Sequence, residues 1–371
     1  MISANQPAPR RRIAPRHRFA ALCLALAPLP ACAAEDAPPV VETNQKERRI
    51  EAAKARLEEM NFKGVVAIAY DGEAPVYAGF GEGAVQGTPD ETTLLDSGSI
   101  TKTFTAAAAL KLIDEGKLQT SDRLEKFFPE APADKAKITV HQILTHSAGL
   151  PPAVGEDLDY LPKDEFLKRA FAAPLLFEPG SAYEYSNVGY SLVAAIIETL
   201  SGKNYETYIR EDLLAGIDAT EIGYEAAFDA TRSMMTADGE TIDEASWGGR
   251  SHWALIGNGG MLVTAQDMIA FRRAFAARKL HSNAAVNLGQ TPMVREGEGA
   301  PTFAGYGMVV DDHPQFGRVY WHNGGNPHFI SNWSDFADHG VIIFASSDGV
   351  EVNGDMAVEA IAAELLLTPG N

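Results

Sequence analysis

The sequence predicts an α+β fold: one antiparallel sheet assembled from both ends of the chain, flanked by helices, with a helical region inserted between. Three observations predict it. Residues 63–83, "KGVVAIAYDGEAPVYAGFGEG", alternate apolar and polar side chains around an Asp-Gly turn, the pattern of a strand pair. Near the other end, "FAGYGMVVDD", "FGRVYWH", "HFISNWSD" and "GVIIFASSDG" read as four more strands, and "DMAVEAIAAELLL" closes the chain as an apolar helix. Between them, residues 120–290 are helical and loop-rich, as in "GYSLVAAIIETLSG" and "TAQDMIAFRRAFAARK". Strands at both ends with helices between them place a cleft where the sheet meets the helical part, a preferred position for a site.

Taken in order, the chain begins with a leader. Arg10, Arg11, Arg12, Arg16 and Arg18 precede the apolar "FAALCLALAPLPA" at 19–31 and then small residues, the order of a secretory signal over residues 1–33. The apolar run is too short to span a bilayer. "LPAC" at 29–32 resembles a lipobox, which would make Cys32 a lipid anchor; Pro30 fits that pattern poorly, and "ACA" at 31–33 suits ordinary cleavage equally well. Cys23 and Cys32 are the sole cysteines, so the mature chain is expected to have no disulfide and no thiol chemistry. The expected location is therefore periplasmic or secreted, with no transmembrane span. Removing residues 1–34 takes five arginines and no acids, leaving 26 Lys and Arg against 50 Asp and Glu, a net charge of −24. Such a surface argues against nucleic acid or anionic lipid as a partner.

Residues 34–48 read as a linker, and an amphipathic helix over 45–61 follows with Ile50, Ala53, Leu57 and Met60 on one face. The remainder, 49–371, is expected to be one domain, with a sheet-bearing part at about 49–115 and 295–371 and a helical part at about 116–294. No internal repeat or sustained heptad interrupts it.

The chemistry starts at residues 98–116, "GSITKTFTAAAALKLIDEG". Thr103, Phe104, Ala107, Leu110 and Leu112 mark a helix that packs on several sides. Ser99 sits at its N-terminus, where free N–H groups and the dipole favour developing negative charge. Lys102 projects on the same side, and burial would lower its pKa until the neutral amine can take the serine proton. The competing reading is an ordinary helix start, with Ser99 as a cap and Lys102 in solvent. Two further fragments favour chemistry. "YSN" at 185–187 is the sole Tyr-x-Asn of the sequence, and "WHNGGNP" at 321–327 ends a strand with small residues that let a substrate run alongside.

The order Ser-x-x-Lys, Tyr-x-Asn, then His-x-Gly resembles the serine β-lactamase and penicillin-binding superfamily, closest to its class C β-lactamase, esterase and D-aminopeptidase branch. "GFGEG", "LIDEGKL", "ITVHQILTHSAGLP", "FEPGSAYEYSNVGYSLVAAIIE" and "GNGGMLVTAQDM" resemble it too, so the likeness spans about residues 50–365. It implies a β-lactamase-like fold with an all-helical subdomain, and a serine hydrolase that works through an acyl-enzyme. Position by position, Ser99 is implied as nucleophile and Lys102 as its activator. Tyr185, as phenolate or through hydrogen bonding, is implied as the proton shuttle to the leaving group. Asn187 would bind the substrate amide or orient Lys102. The N–H groups of Ser99 and Gly325 would form the oxyanion hole, and His322, Asn323 and Gly324 would line the substrate. No metal or organic cofactor is implied. The partners expected are a small ester or amide or a cell-wall peptide, bound by a monomer. His322 stands where β-lactamases usually carry a lysine. With a pKa near 6.5 it would be mostly neutral and hold a substrate carboxylate weakly.

Rival sites are weaker. "THSAG" at 145–149 mimics a nucleophile elbow, but Pro151 and Pro152 forbid the helix that must follow, so Ser147 is expected to be a turn residue. His141 and His146 are off one helical face, and His313, His322, His328 and His339 lack ligand spacing, which argues against zinc. "GNGG" at 257–260 lacks the lysine of a phosphate loop and reads as a turn before a helix capped by Thr264. Trp321 is expected to pack in the core. Two functional classes follow: a serine hydrolase, including a D-Ala-D-Ala carboxypeptidase or β-lactamase, or a slowly deacylating receptor for cell-wall peptides. The stretches 153–175 and 225–255, which would shape the acyl pocket, carry no legible motif.

Overall fold

The computed structural model describes residues 40–157, 160–228, 231–237, 240–242 and 251–367. The leader, Cys23, Cys32 and "LPAC" lie outside the described residues, as does part of the 225–255 stretch.

Eight strands form one antiparallel sheet: β1 (Gly64–Tyr70), β2 (Val76–Phe80), β3 (Val294–Arg295), β4 (Thr302–Ala304), β5 (Val309–His313), β6 (Gly317–Gly325), β7 (Ile330–Phe336) and β8 (Val341–Ser347). Their spatial order is β2-β1-β8-β7-β6-β5-β4-β3. The two chain ends join where β1 pairs with β8, from Gly64 opposite Ser347 to Tyr70 opposite Val341. β1 carries no polar residue between Val65 and Ala69 because both of its faces are covered. Val65, Ala67 and Ala69 enter one core; Val66 and Ile68 enter the other.

The principal helices are α1 (Val40–Glu59), α2 (Thr101–Asp114), α3 (Val140–Leu144), α4 (Lys163–Ala172), α5 (Asn187–Ser201), α6 (Ala265–Ala276), α7 (Asn283–Gly289) and α8 (Gly354–Ala362). Ile50, Ala53 and Leu57 of α1 and Val358 and Ile361 of α8 fill the core on one face of the sheet. On the other face α6 packs on β1 and β8, and α5 and α7 pack on α2. Every residue of α2 from Thr101 to Leu110 is buried. Its run Ala106–Ala109 has no bulk to hold neighbours away, so helices close on it from several sides. Phe104 and Leu110, both fully buried, stabilise the packing by about 1.5–3 kcal/mol each.

Three boundaries differ from the sequence expectations. α1 begins at Val40, inside the span 34–48 read as linker, because no proline or glycine follows Pro39 until Gly64 to stop a helix. The expected strand over 303–312 is broken into β4 and β5 by a turn in which Gly305 N–H bonds to Met308 O at 2.9 Å. The turn brings Gly307 (φ +66°) against α2, where an added Cβ would lie 2.6 Å from the Lys102 carbonyl oxygen. Finally, the span 116–294 is not wholly helical. Leu262–Val263 pairs with Leu95–Asp96, and α6, with Met268, Ile269, Phe271 and Phe275 buried, belongs against the sheet. Thr264 caps α6 as expected, its side chain accepting from Asp267 N–H at 3.1 Å.

Candidate active site

Ser99 lies on a 3-10 turn, Gly98–Ile100, between the Leu95–Asp96 ladder and α2. It does not cap the helix: the N-cap is Ile100, with no side-chain capping bond. Asp96 fixes the turn instead. One carboxylate oxygen accepts from Gly98 N–H at 2.7 Å, and the other accepts from Asn326 Nδ2 at 2.8 Å, just beyond β6. Its carbonyl accepts from Ser331 Oγ of β7 at 2.9 Å. Buried Asp96 thus ties the nucleophile's turn to the strands beside it. Close approach requires glycine at two places. A Cβ on Gly98 (φ +48°) would lie 2.2 Å from Gly325 N, and one on Gly324 would lie 2.1 Å from Ser97 O and 2.5 Å from Ser99 N. β6 therefore lies hard against the nucleophile's turn, the backbone of Gly325 beside Gly98 and that of Ser99 beside Gly324.

Lys102 is fully buried one helical turn on, with Nζ 3.2 Å from Ser99 Oγ. The amine donates to the carbonyl of Asn258 at 2.7 Å, in the "GNGG" turn. Burial pushes its pKa well below the ordinary lysine value, with Asp157 opposing, which favours a neutral amine able to accept a proton. Tyr185 lies over Lys102, its ring centroid 4.6 Å from Nζ, with its hydroxyl on the side of Ser99. Burial raises the phenol's pKa, so Tyr185 is a neutral hydroxyl and not a phenolate. Asn187, at the start of α5, does not orient Lys102; that task falls to the Asn258 carbonyl. Asn187 Oδ1 is buried without a hydrogen-bond partner among the described residues.

His322 is buried on β6 and tilted toward Tyr185, with ring centroids 6.4 Å apart. Burial pushes its pKa down to about 4, against the value near 6.5 expected from sequence. The Asn323 amide nitrogen donates to Asp355 at 3.0 Å, so its side chain is committed within the protein. β5 pairs with β6 only as far as Trp321, while β7 continues to Gly325. The stretch His322–Gly325 therefore keeps an open backbone edge on one side, along which a substrate can lie as an added strand. Two cavities meet at Ser99 and Gly325. One, of about 440 Å³, is lined by His146, Tyr183, Tyr185, Glu296, Trp321 and His322. The other, of about 550 Å³, is lined by Glu156, Asp157, Asn187, Asn258, Pro327 and His328. Trp321 belongs both to the first cavity and to the core beneath the sheet.

A buried amine of lowered pKa within hydrogen-bond reach of a serine hydroxyl, with a phenol ring over the amine, is an activated-nucleophile arrangement. A family model described as "Beta-lactamase" matches residues 49–368. The chain belongs to the β-lactamase family. It is 25% identical over 341 residues to a penicillin-binding protein of Bacillus subtilis (strain 168), a match covering 83% of this chain and 73% of that protein. It is also 25% identical to the D-alanyl-D-alanine-carboxypeptidase/endopeptidase AmpH of Escherichia coli (strain K12), over 57% of each chain. The crystal structure of a penicillin binding protein from Bacillus halodurans has the same fold, with a TM-score of 0.72 and 22% identity, covering 84% of this chain and 99% of that one. The protein is thus a serine hydrolase of the β-lactamase and penicillin-binding superfamily, built on the large antiparallel sheet that family shares.

Within this β-lactamase-family site, Ser147 is a turn residue. Its Oγ is buried, 3.0 Å from Thr145 Oγ1 and 3.4 Å from the Gln142 carbonyl. Among the described residues no group of three or more His, Cys, Asp or Glu is placed to hold a metal ion, and no helix is long and apolar enough to cross a membrane. His146 is the residue that sequence reasoning missed, having weighed it only as a metal ligand. It stacks on Tyr185 at 4.5 Å with 27° between the rings, in a strained left-handed conformation (φ +56°). Its Nδ1 accepts from Ser186 N–H at 3.0 Å, so the ring proton sits on Nε2. Burial holds its pKa well below the ordinary value, leaving a neutral ring behind the tyrosine. The one available signal was its place in "LTHSAGLP", within a fragment that resembles the family.

Proposed function

We propose that this chain is an exported hydrolase that cleaves an ester or amide through an acyl-enzyme on Ser99, with Lys102 and Tyr185 carrying the protons. The observation that carries the reading is the buried Lys102 amine 3.2 Å from Ser99 Oγ, beneath the Tyr185 ring. As Oγ attacks the substrate carbonyl carbon, its proton passes to Lys102, and the new oxyanion is met by the N–H groups of Ser99 and Gly325. The proton then moves through the Tyr185 hydroxyl to the leaving oxygen or nitrogen, whose bond to carbon breaks. Water attacks the resulting ester and gives up its proton by the same route in reverse. The acid departs and Ser99 is restored. Asn187 Oδ1, lacking a partner in the protein, offers an acceptor to a substrate N–H in the second cavity. The arginine-rich leader over 1–33 supports export, to a periplasmic or secreted location.

For the substrate, neutral His322 supports esters or amides without a free carboxylate. A charge-assisted hydrogen bond contributes about 1.5–3 kcal/mol and a neutral one about 1, a difference of roughly 2- to 30-fold in affinity. β-Lactam hydrolysis is therefore weak. The name of the AmpH relative supports a second reading, a carboxypeptidase acting on D-alanyl-D-alanine ends. A pre-steady-state experiment with chromogenic esters, D-amino-acid amides, D-Ala-D-Ala peptides and cephalosporins separates these readings. A burst followed by sustained turnover of neutral esters supports the hydrolase. A stoichiometric burst that stops marks a receptor, and fastest turnover of the D-Ala-D-Ala peptide marks the carboxypeptidase.

A further inference from the structure

We propose that Glu296 makes this enzyme select substrates whose leaving group carries a positive charge and reject those whose leaving group carries a carboxylate. The proposal rests on the serine-hydrolase reading above. In that reading the Tyr185 hydroxyl delivers the proton to the departing atom, and Tyr185 lines one of the two cavities that meet at Ser99 but not the other, so the leaving group must sit on the Tyr185 side of the nucleophile. That side is the cavity of about 440 Å³. Its charges can be read one by one. His146 and His322 are neutral, both held below the ordinary histidine range by burial. The Asp355 carboxylate is engaged by the amides of Asn323 at 3.0 Å and Asn332 at 2.7 Å. Arg295, the neighbour of Glu296, turns into its own hairpin, donating to the Ala300 carbonyl with its guanidinium 4.5 Å from the Phe303 ring. Lys102 lies fully buried and does not line the cavity.

Glu296 and Asp355 are thus the two carboxylates among the described lining residues, and Glu296 is the one held beside the catalytic tyrosine and not by a pair of amides. The Tyr183 hydroxyl donates to its Oε1 at 3.1 Å, and Tyr183 in turn lies edge-on to His146, 5.8 Å away. The carboxylate is thus fixed to the same aromatic stack that positions Tyr185, close enough for its charge to disfavour ionisation of that phenol. The rings of Tyr183, Tyr185 and Trp321 form walls of the cavity, and aromatic faces beside a carboxylate favour a cation.

Three esters of one acyl group test this: the choline ester, its neutral carbon isostere, and the ester of a hydroxy acid. The wild type should rank their kcat/KM in that order, with choline and hydroxy-acid esters differing by at least about tenfold at low salt. Added salt should narrow that ratio. Glu296→Gln should lower the choline-to-hydroxy-acid ratio by about tenfold, whatever it does to the neutral ester, and Glu296→Asp should keep most of it. An unchanged ratio in Glu296→Gln overturns the proposal. So does a wild-type ratio near one at low salt, a measurement that needs no variant. If the wild type does not turn over the neutral isostere, or Ser99→Ala turns it over as fast, the serine reading itself falls and this proposal with it.

Discussion

Replacing Lys102 by methionine separates the chemistry of the site from its stability. Methionine keeps the length of the side chain but neither titrates nor accepts a proton. The change leaves the Asn258 carbonyl without its 2.7 Å donor, which costs about 1–3 kcal/mol. Against this, methionine removes a group that is charged in the unfolded chain and neutral in the native one, a penalty of up to about 1.4 kcal/mol for each pH unit below 10.5. Near neutral pH the second term is the larger, and the variant should be at least as stable as wild type there. The decisive signature is the pH dependence. The unfolded chain binds a proton on Lys102 below pH 10.5, whereas the native chain, with the group buried, binds it only below a much lower pKa. Native stability is therefore lost as pH falls from 10.5 toward that lowered value, and the loss is complete beneath it. Wild-type minus variant stability, from urea unfolding between about pH 9 and about pH 7, should fall by up to about 1.4 kcal/mol per pH unit. Acylation of the variant by an activated ester should slow by about 10²- to 10⁴-fold. A stability difference flat in pH means a lysine that stays charged in the native state, and the base assignment would be wrong.

Tyr185→Phe should lower turnover of an unactivated ester by about 10²-fold or more while leaving Tm nearly unchanged; a Tm loss that accounts for the lost activity would make the residue a packing element. Because His322 titrates near 4, the penicillin-to-ester ratio of kcat/KM should be flat from about pH 8 to about pH 6 and rise only as pH approaches 4. His322→Lys should raise that ratio at neutral pH, and a cephalosporin hydrolysed by wild type faster than any neutral ester would refute the assignment. Gly324→Ala places a Cβ 2.1 Å from the Ser97 carbonyl oxygen, so β6 must draw back from the nucleophile's turn, and kcat should fall more than KM rises.

The parts of this enzyme legible in its sequence are those whose determinants lie close together along the chain. The apolar run of β1 and the Asp-Gly turn after it announced the N-terminal strand pair, and Ser99 and Lys102 share a helix turn, so spacing alone could pair them. What escaped depends on tertiary contact. The group that holds Lys102 is a backbone carbonyl, at Asn258, and has no side-chain signature. His146 meets Tyr185 only because α3 ends beside the segment that leads into α5. Burial sets the pKa of His322, and burial of one strand residue cannot be read from its neighbours. The break between β4 and β5 follows from the approach of Gly307 to α2, a contact between segments far apart in sequence.

Intact mass spectrometry of the acyl-enzyme tests the central claim most directly. Wild type treated with a fluorophosphonate, or quenched during turnover of a slow ester, should gain the mass of one acyl or phosphonyl group. Peptide mapping should place that group on Ser99, and Ser99→Ala should gain none. An adduct on Ser147, or turnover retained in Ser99→Ala, would contradict the account.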